Sequence, residues 1–313
     1  MADLETTNVL IAGEVTPTNV ALHDACSGGG IRTRLLPPDI AARRADVDDI
    51  VLSRLDVLPT LDGIEQGLDA LEALTARGVR VLNTPTFLSI AHDKLATSVA
   101  LRSAGLPHPR TTGAGHGNAP DLDFEPPYVV KPRFGSWGQS LYLCETEHAL
   151  RRTLRRLSGW RWFEHGGAVV QEYVPNDGVD LRVIVAGGKV IGGITRRGAP
   201  GEWRTNVSLG GSRMRAVPSL QAQALAVRAA AAVDGDLIGV DLMPTRDGFA
   251  ILEIDGCPDF TSDYVSPRRD VYADAMRDLL EWADHRAHDV ELDMSDSSGA
   301  WSDRTAAGAV SSR

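Results

Sequence analysis

The stretch LIGVDLMPTRDGFAILEID, Leu237 to Asp255, reads as two apolar runs joined by a turn near Asp247, with acids set into both. Side chains of an extended strand alternate between faces, so Ile251, Glu253 and Asp255 share one face while Leu252 and Ile254 share the other. Folding the hairpin symmetrically about Asp247 sets Leu242 against Leu252 and Asp241 against Glu253, which puts Asp241, Glu253 and Asp255 on one face. Like charges this close repel, so the face is either a solvated hairpin edge or it holds something positive. An all-oxygen donor set without His or Cys suits a hard cation, Mg²⁺ or Mn²⁺.

Magnesium held by few carboxylates takes its other ligands from phosphates and water, which directs attention to glycine loops. In VVKPRFGSWGQS, Val129 to Ser140, Lys131 ends an apolar strand, and Gly135, Ser136 and Gly138 form a loop whose N–H groups can close over phosphate oxygens. The lysine precedes the glycines and a strand follows, so this is no Walker A loop; an ordinary hairpin turn with a surface lysine is the alternative. Lys94 lies at a helix start where Asp93 is placed to cap, and Pro175 breaks the strand of VVQEYVP, freeing backbone groups that can read an adenine edge. The run from Ser27 to Gly30 follows a helix and matches no phosphate-binding pattern.

Around these motifs the chain divides into segments. Residues 1–85 alternate strands (NVLIAG, IRTRLLP, DIVLSRL, VRVLN) with helical stretches, one from about Thr60 to Arg77, and read as a small α/β domain. A helix through Leu95, Val99 and Leu101 ends at Ala104-Gly105, and a Gly-rich link, GAGHGNAPD, follows. Residues 86–175 and 176–288 then read as two α+β lobes. The first has strands flanking the glycine loop and a helix from about Glu147 to Leu157. The second has a hairpin turning at Gly187-Gly188, a helix from about Leu220 to Val233, the acidic hairpin and an amphipathic closing helix. Residues 289–313, rich in Ser, Asp, Ala and Gly, read as a disordered tail.

Composition narrows the function. With 313 residues, 43% hydrophobic and 24% charged, the chain is an ordinary globular protein, and a formal net charge of −10 argues against nucleic acid or an anionic membrane as partner. Cys26, Cys144 and Cys257 are too scattered for a disulfide framework, no apolar run approaches a membrane span, and the start MADLETTNVLIAG lacks a signal-peptide pattern, so a cytoplasmic location is expected. Cys257 has no histidine near it in sequence to activate a nucleophile.

The ordered set DKLAT, VVKPRFGSWGQ, QEYV, DLRVIVAGGKVIGGITRR, GEWRTNVSLGG, GVDLM and LEID resembles the ATP-grasp superfamily of carboxylate-amine ligases. The match is nearest to its RimK-type branch, which includes ribosomal-protein glutamate ligases and LysX-like enzymes, and it covers Asn83 to the closing helix. The resemblance implies an α/β N-terminal domain followed by a two-lobed α+β ATP-grasp fold, with the nucleotide between two antiparallel sheets. It implies ATP and two Mg²⁺ ions, with Mn²⁺ a substitute, and a homo-oligomer. The implied activity is attack of an amino acid carboxylate on the γ-phosphate, then displacement of phosphate by an amine. The acceptor is a small molecule, peptide or protein tail. A small-peptide or natural-product ligase, and a nucleotide-binding regulatory module without turnover, are the rival readings.

By the same resemblance Lys94 and Lys131 contact the α- and β-phosphates, and the loop of Phe134, Gly135, Ser136, Trp137, Gly138, Gln139 and Ser140 covers the γ-phosphate. Gln171, Glu172, Tyr173 and Val174 hold adenine, and Asp180 lies on the ribose side. Arg182, Arg196, Arg204 and Asn206 line the transferring phosphate, with the arginines catalytic, and Asp241, Glu253 and Asp255 bind metal. Strand parity places Arg182 and Arg197, not Arg196, on one hairpin face, so either a bulge intervenes or the arginine role moves by one residue. The family usually ends the acidic strand Glu-x-Asn; here Asp255 adds a charge, and GCPDFTSDY after it departs from the usual segment.

Overall fold

The computed structural model describes residues 8–115 and 120–302, with side chains described up to Arg286. In chain order the elements begin with β1 (Asn8–Gly13), α1 (Pro17–Gly28), β2 (Arg32–Leu36), α2 (Pro38–Arg44), β3 (Ile50–Arg54), α3 (Leu68–Ala76) and β4 (Arg80–Leu82). These build a parallel sheet in the order β2-β1-β3-β4. The helix expected from Thr60 begins only at Leu68. Before it the backbone takes positive φ at Leu61 and Gly67, with a bridge between Val57 and Ile64.

Next come α4 (Pro85–His92), α5 (Lys94–Ser103), β5 (Thr111–Ala114), β6 (Tyr128–Pro132), β7 (Tyr142–Cys144), α6 (Glu147–Leu157), α7 (Arg161–Gly166) and β8 (Ala168–Glu172). The helix expected through Leu95 starts at Lys94 as α5, where the Asp93 carboxylate accepts the Leu95 N–H at 3.0 Å, and a separate helix, α4, precedes it. Strands β5-β8-β6-β7 form an antiparallel sheet. The link GAGHGNAPD falls partly on residues 116–119, outside the described residues.

The last set is β9 (Val179–Ala186), β10 (Lys189–Arg197), β11 (Ser212–Ala216), α8 (Leu220–Val233), β12 (Leu237–Thr245), β13 (Gly248–Asp255) and α9 (Val271–Ser302). Its sheet, β11-β10-β9-β12-β13, is antiparallel throughout. At the β9-β10 turn Gly187 and Gly188 both take positive φ, 54° and 71°, which a type I′ turn requires. The closing helix runs past Asp289, where the sequence suggests a structureless tail: no proline and no glycine before Gly299 interrupts it. Residues 303–313 of that tail lie outside the described residues.

Two apolar clusters bind the parallel sheet to the five-stranded sheet. Leu10, Ala12 and Val51 join Val183, Val240, Ile251 and the alanine face of α8, while Val9, Ile11 and Leu52 join Ile184, Ala186 and Met276 and Leu279 of α9. The four-stranded sheet packs on a separate core of Val130, Leu150, Leu154, Phe163 and Val170. The glycine loop therefore belongs to a lobe with its own hydrophobic support, facing a larger body across a cleft.

Candidate active site

Two β-bulges decide which side chains reach the cleft. Between β9 and β10 the register slips at Ile191, so that Ile194 pairs with Arg182 and Arg196 with Asp180. Arg196 thereby joins Arg182 on one face, and the parity conflict between Arg196 and Arg197 disappears. In the β12-β13 hairpin Thr245 pairs with Gly248 and Leu242 with Ile251, one residue off the symmetric expectation. A bulge at Leu252 then restores Asp241 opposite Glu253. Because Asp241 also pairs with Arg182, one face carries Asp180, Arg182, Arg196, Asp241, Glu253 and Asp255.

The acids on this face are neutralised by cations of the chain itself. Arg182 holds Asp241 through Nε to Oδ1 (2.6 Å) and Nη2 to Oδ2 (2.9 Å), and its Nη1 reaches Asp255 Oδ2 at 3.0 Å. Arg196 grips Asp180 at 2.8 and 2.6 Å and shares Nη2 with Asp241 Oδ2 at 2.7 Å. Burial opposes ionisation of Asp241, but the two guanidiniums hold its carboxyl well below the usual carboxylate range. Glu253 Oε1 meets Lys94 Nζ at 2.7 Å, and although burial opposes it, Lys94 and Lys131 lower its proton affinity too.

Lys131, at the end of β6, is 4% exposed. Burial brings its ammonium down to about 8, against the pull of Glu253 and with a push from Lys94. Lys94 Nζ also donates to the Gly135 carbonyl, which ties the glycine loop to the acidic strand through one lysine. At Gly138, φ is +71° and a Cβ would lie 2.6 Å from Asn206 Oδ1, so this close approach needs glycine. The loop is further fixed by Ser208 Oγ on the Trp137 carbonyl (2.8 Å) and by Arg204 Nη1 on the Gly138 carbonyl (3.1 Å). Arg204 is held from behind by Glu202, Nε to Oε1 2.9 Å and Nη2 to Oε2 2.7 Å.

The cleft encloses about 400 Å³ and is lined by Lys94, Lys131, Gly135 to Gln139, Gln171 to Val174, Asp180, Arg182, Arg196, Arg204, Asn206, Asp241, Glu253 and Asp255. Phe134 and Ser140 are the exceptions among the expected residues: both are absent from the wall, and Phe134 lies against Gly166 with Arg133 over its ring. Gln171 Nε2 bonds Thr111 Oγ1 at 2.9 Å and the Glu172 carboxylate pairs with Arg110, so both side chains are engaged within their own sheet. Tyr173 stands edge-on to Trp203, rings 6.1 Å apart.

Sequence reasoning missed Trp203, Thr205 and Asp56. The Thr205 hydroxyl donates to Asp180 and steadies the Arg196 pair; its position between Arg204 and Asn206 was the available signal. Asp56, just beyond β3, lines the same cleft, and burial together with the nearby Asp255 pushes its carboxyl up to about 7. Nothing in its local sequence marks it. Cys257 also lines the cleft, with its thiol pushed up by burial, which opposes a nucleophilic role. His92 is buried on the Leu55 carbonyl at 2.8 Å and held neutral chiefly by that burial.

Among the described residues no three His, Cys, Asp or Glu side chains are gathered into a ready metal-ligand group. The expected set still fits a divalent ion chemically: Asp241, Glu253 and Asp255 offer only oxygen donors from adjacent positions of one hairpin face. Glu253 and Asp255 each make one direct ion pair, with Lys94 and Arg182, whereas both Asp241 oxygens are occupied by guanidinium N–H groups. Ions would therefore be held by Glu253 and Asp255 in exchange for Lys94 and Arg182.

Residues 93–280 match the model of the RimK-like ATP-grasp domain. The chain is 31% identical to the tetrahydromethanopterin:alpha-L-glutamate ligase of Methanosarcina acetivorans, over 67% of this chain and 75% of that protein. It is 31% identical to a probable alpha-L-glutamate ligase of Xanthomonas campestris, over 67% and 71%. Among solved structures, the D-alanine–D-alanine ligase from Bacillus anthracis complexed with ATP aligns with TM-score 0.64 and 16% identity, covering 91% of this chain and 99% of that one. A RimK domain ATP-grasp protein from Sphaerobacter thermophilus aligns with TM-score 0.60 and 19% identity, covering 88% and 99%. At these identities the structures speak for the fold. Among the described residues no helix is long and apolar enough to cross a membrane.

Proposed function

The chain belongs to the RimK-like ATP-grasp family and is an ATP-dependent carbon–nitrogen ligase of the ADP-forming kind, and from that premise we propose how its cleft works and on what. The nucleotide lies between the four-stranded and five-stranded sheets, adenine against Gln171 to Val174 and ribose toward Asp180. Lys94 and Lys131 bind the α- and β-phosphates, and the backbone of Gly135 to Gln139 closes over the γ-phosphate, with Asn206 behind Gly138. Arg182, Arg196 and Arg204 surround the group in flight, where planar donors stabilise the negative charge that accumulates on phosphate and acyl-phosphate oxygens. Two Mg²⁺ ions, with Mn²⁺ as a substitute, would be held by Glu253 and Asp255, and by Asp241 only where it exchanges a guanidinium for an ion, and would neutralise phosphate charge.

The substrates are an amino acid carboxylate, activated as the acyl-phosphate, and an amine that displaces phosphate. L-Glutamate is the first amino acid to test, given the names of the relatives. The observation that carries this reading is the convergence of five cationic side chains, Lys94, Lys131, Arg182, Arg196 and Arg204, on one cleft that a glycine loop also lines. The experiment is phosphate release with Mg-ATP and each of the common amino acids, alone and in pairs. Release that requires an amino acid pair supports the ligase; silence across the panel with intact nucleotide binding supports the regulatory module instead.

A further inference from the structure

The carboxylates on the cleft wall fall into two groups. Asp180, Asp241, Glu253, Asp255 and Glu172 each have a cation of the chain within 3.0 Å. Two other wall carboxylates, Asp56 and Asp259, have no ion-pair partner among the described residues. Asp56 Oδ1 accepts only the Val57 N–H at 2.7 Å, and Asp259 Oδ1 accepts the Thr18 hydroxyl at 2.9 Å. Arg54, two residues before Asp56, spends its Nε on Asn19 Oδ1 and its Nη2 on the Pro258 carbonyl, both at 2.8 Å; its charge favours the Asp56 carboxylate, but the two form no ion pair. The wall that the parallel-sheet domain lends to the cleft thus carries a carboxyl group, Asp56, that no cation among the described residues pairs with.

A phosphoryl-transfer site needs the lysines and arginines, and an amide-forming ligase must also receive an amine, which arrives at neutral pH as an ammonium ion. We infer that Asp56, assisted by Asp259, binds the ammonium group of an amino substrate and so selects it. This rests on the ligase reading above and adds a residue, outside the ATP-grasp lobes, that contributes charge to substrate choice. Burial and Asp255 both oppose ionisation of Asp56, and an ammonium bound there relieves that opposition. The chemistry fits either the incoming amine or the α-ammonium of the amino acid being activated.

The test uses the full-length enzyme, the amino acid pair giving the fastest phosphate release, and hydroxylamine as a nucleophile that is uncharged at neutral pH. Asp56→Asn keeps the shape and the acceptor for the Val57 N–H. It is expected to raise KM for the amine about 10- to 100-fold, the scale of one charge-assisted hydrogen bond. Hydroxamate formed from the activated acid should change far less, and Asp259→Asn should show the same pattern more weakly. If Asp56→Asn instead raises KM for the activated amino acid and depresses hydroxamate formation equally, the ammonium bound is that of the acid substrate, and the ammonium assignment stands. Unchanged KM values for both substrates, or an equal loss of ATP binding, would overturn it. A wild-type enzyme that releases no phosphate with any pair defeats the ligase reading itself, a separate failure visible before any variant is made.

Discussion

Lys131→Met should make the metal-free protein more stable while removing nucleotide binding. Lys131 is 4% exposed, and burial has brought its ammonium from an ordinary 10.5 to about 8. That difference corresponds to roughly 3 kcal/mol against the charged form in the folded protein. Methionine keeps the unbranched stem and removes the charge. The attraction of Glu253, which the variant loses, is already contained in that net difference. The gain is therefore about 3 kcal/mol at pH 7. The sign with pH follows from linkage: a lysine depressed in the folded state costs stability while both states are protonated. That cost is relieved as pH rises from about 8 toward 10.5, where only the unfolded chain still binds the proton. Denaturant unfolding of both proteins at pH 7 and pH 9.5 measures this, and the advantage of Lys131→Met should shrink at the higher pH. Added Mg-ATP should stabilise the wild type and leave the variant unmoved. A variant no more stable than wild type at pH 7, or one that Mg-ATP still stabilises, refutes the reasoning.

Glu253→Gln should lower turnover at least ~100-fold, roughly 2.7 kcal/mol of transition-state stabilisation, as read by phosphate release. It should also cost the metal-free protein about 2 kcal/mol in unfolding free energy, between the values for exposed and buried pairs, because Lys94 and Lys131 are left facing an uncharged amide. Since the Glu253 carboxyl is lowered on folding, that stability gap should be full at neutral pH and close as pH falls through the carboxylate range. Asp255→Asn retains an oxygen donor and restores the family's usual residue, so turnover should stay within about tenfold of wild type, with weaker Mg²⁺ affinity in a metal titration. Gly138→Ala drives a methyl into Asn206 at a positive φ and should weaken ATP binding about tenfold or more by calorimetry, with little change in melting temperature, because the loop lies outside the apolar cores.

Repulsion among Asp241, Glu253 and Asp255 is the expectation from strand alternation alone, and on that basis removing an acid would stabilise the protein. The structure reverses the sign. Each acid is matched by Arg182, Arg196 or Lys94, drawn from β9, β10 and α5, and strand alternation in one hairpin carries no information about charges arriving from other strands.

What the sequence determined by itself was local chemistry and order: the capping Asp93, the strand-end Lys131, the Gly187-Gly188 turn, the acidic hairpin and the succession of motifs that resembles an ATP-grasp ligase. These follow from residue conformational preferences and from spacing along one element, which are properties of neighbours in the chain. Which residues meet was decided by tertiary structure. The pairing of Asp241 with Glu253 was reached from a register that was off by one and was rescued by the bulge at Leu252, while the bulge at Ile191 selected Arg196 over Arg197. A bulge depends on how a whole strand settles against its partners and the core beneath, so no local pattern announces it. Asp56 illustrates the same limit at longer range: its place in the cleft comes from packing the parallel sheet against the five-stranded sheet through side chains such as Val51, Val183 and Ile251, contacts between segments far apart in the chain. Burial and the sum of charges at a point depend on the whole fold, and only the assembled chain sets them.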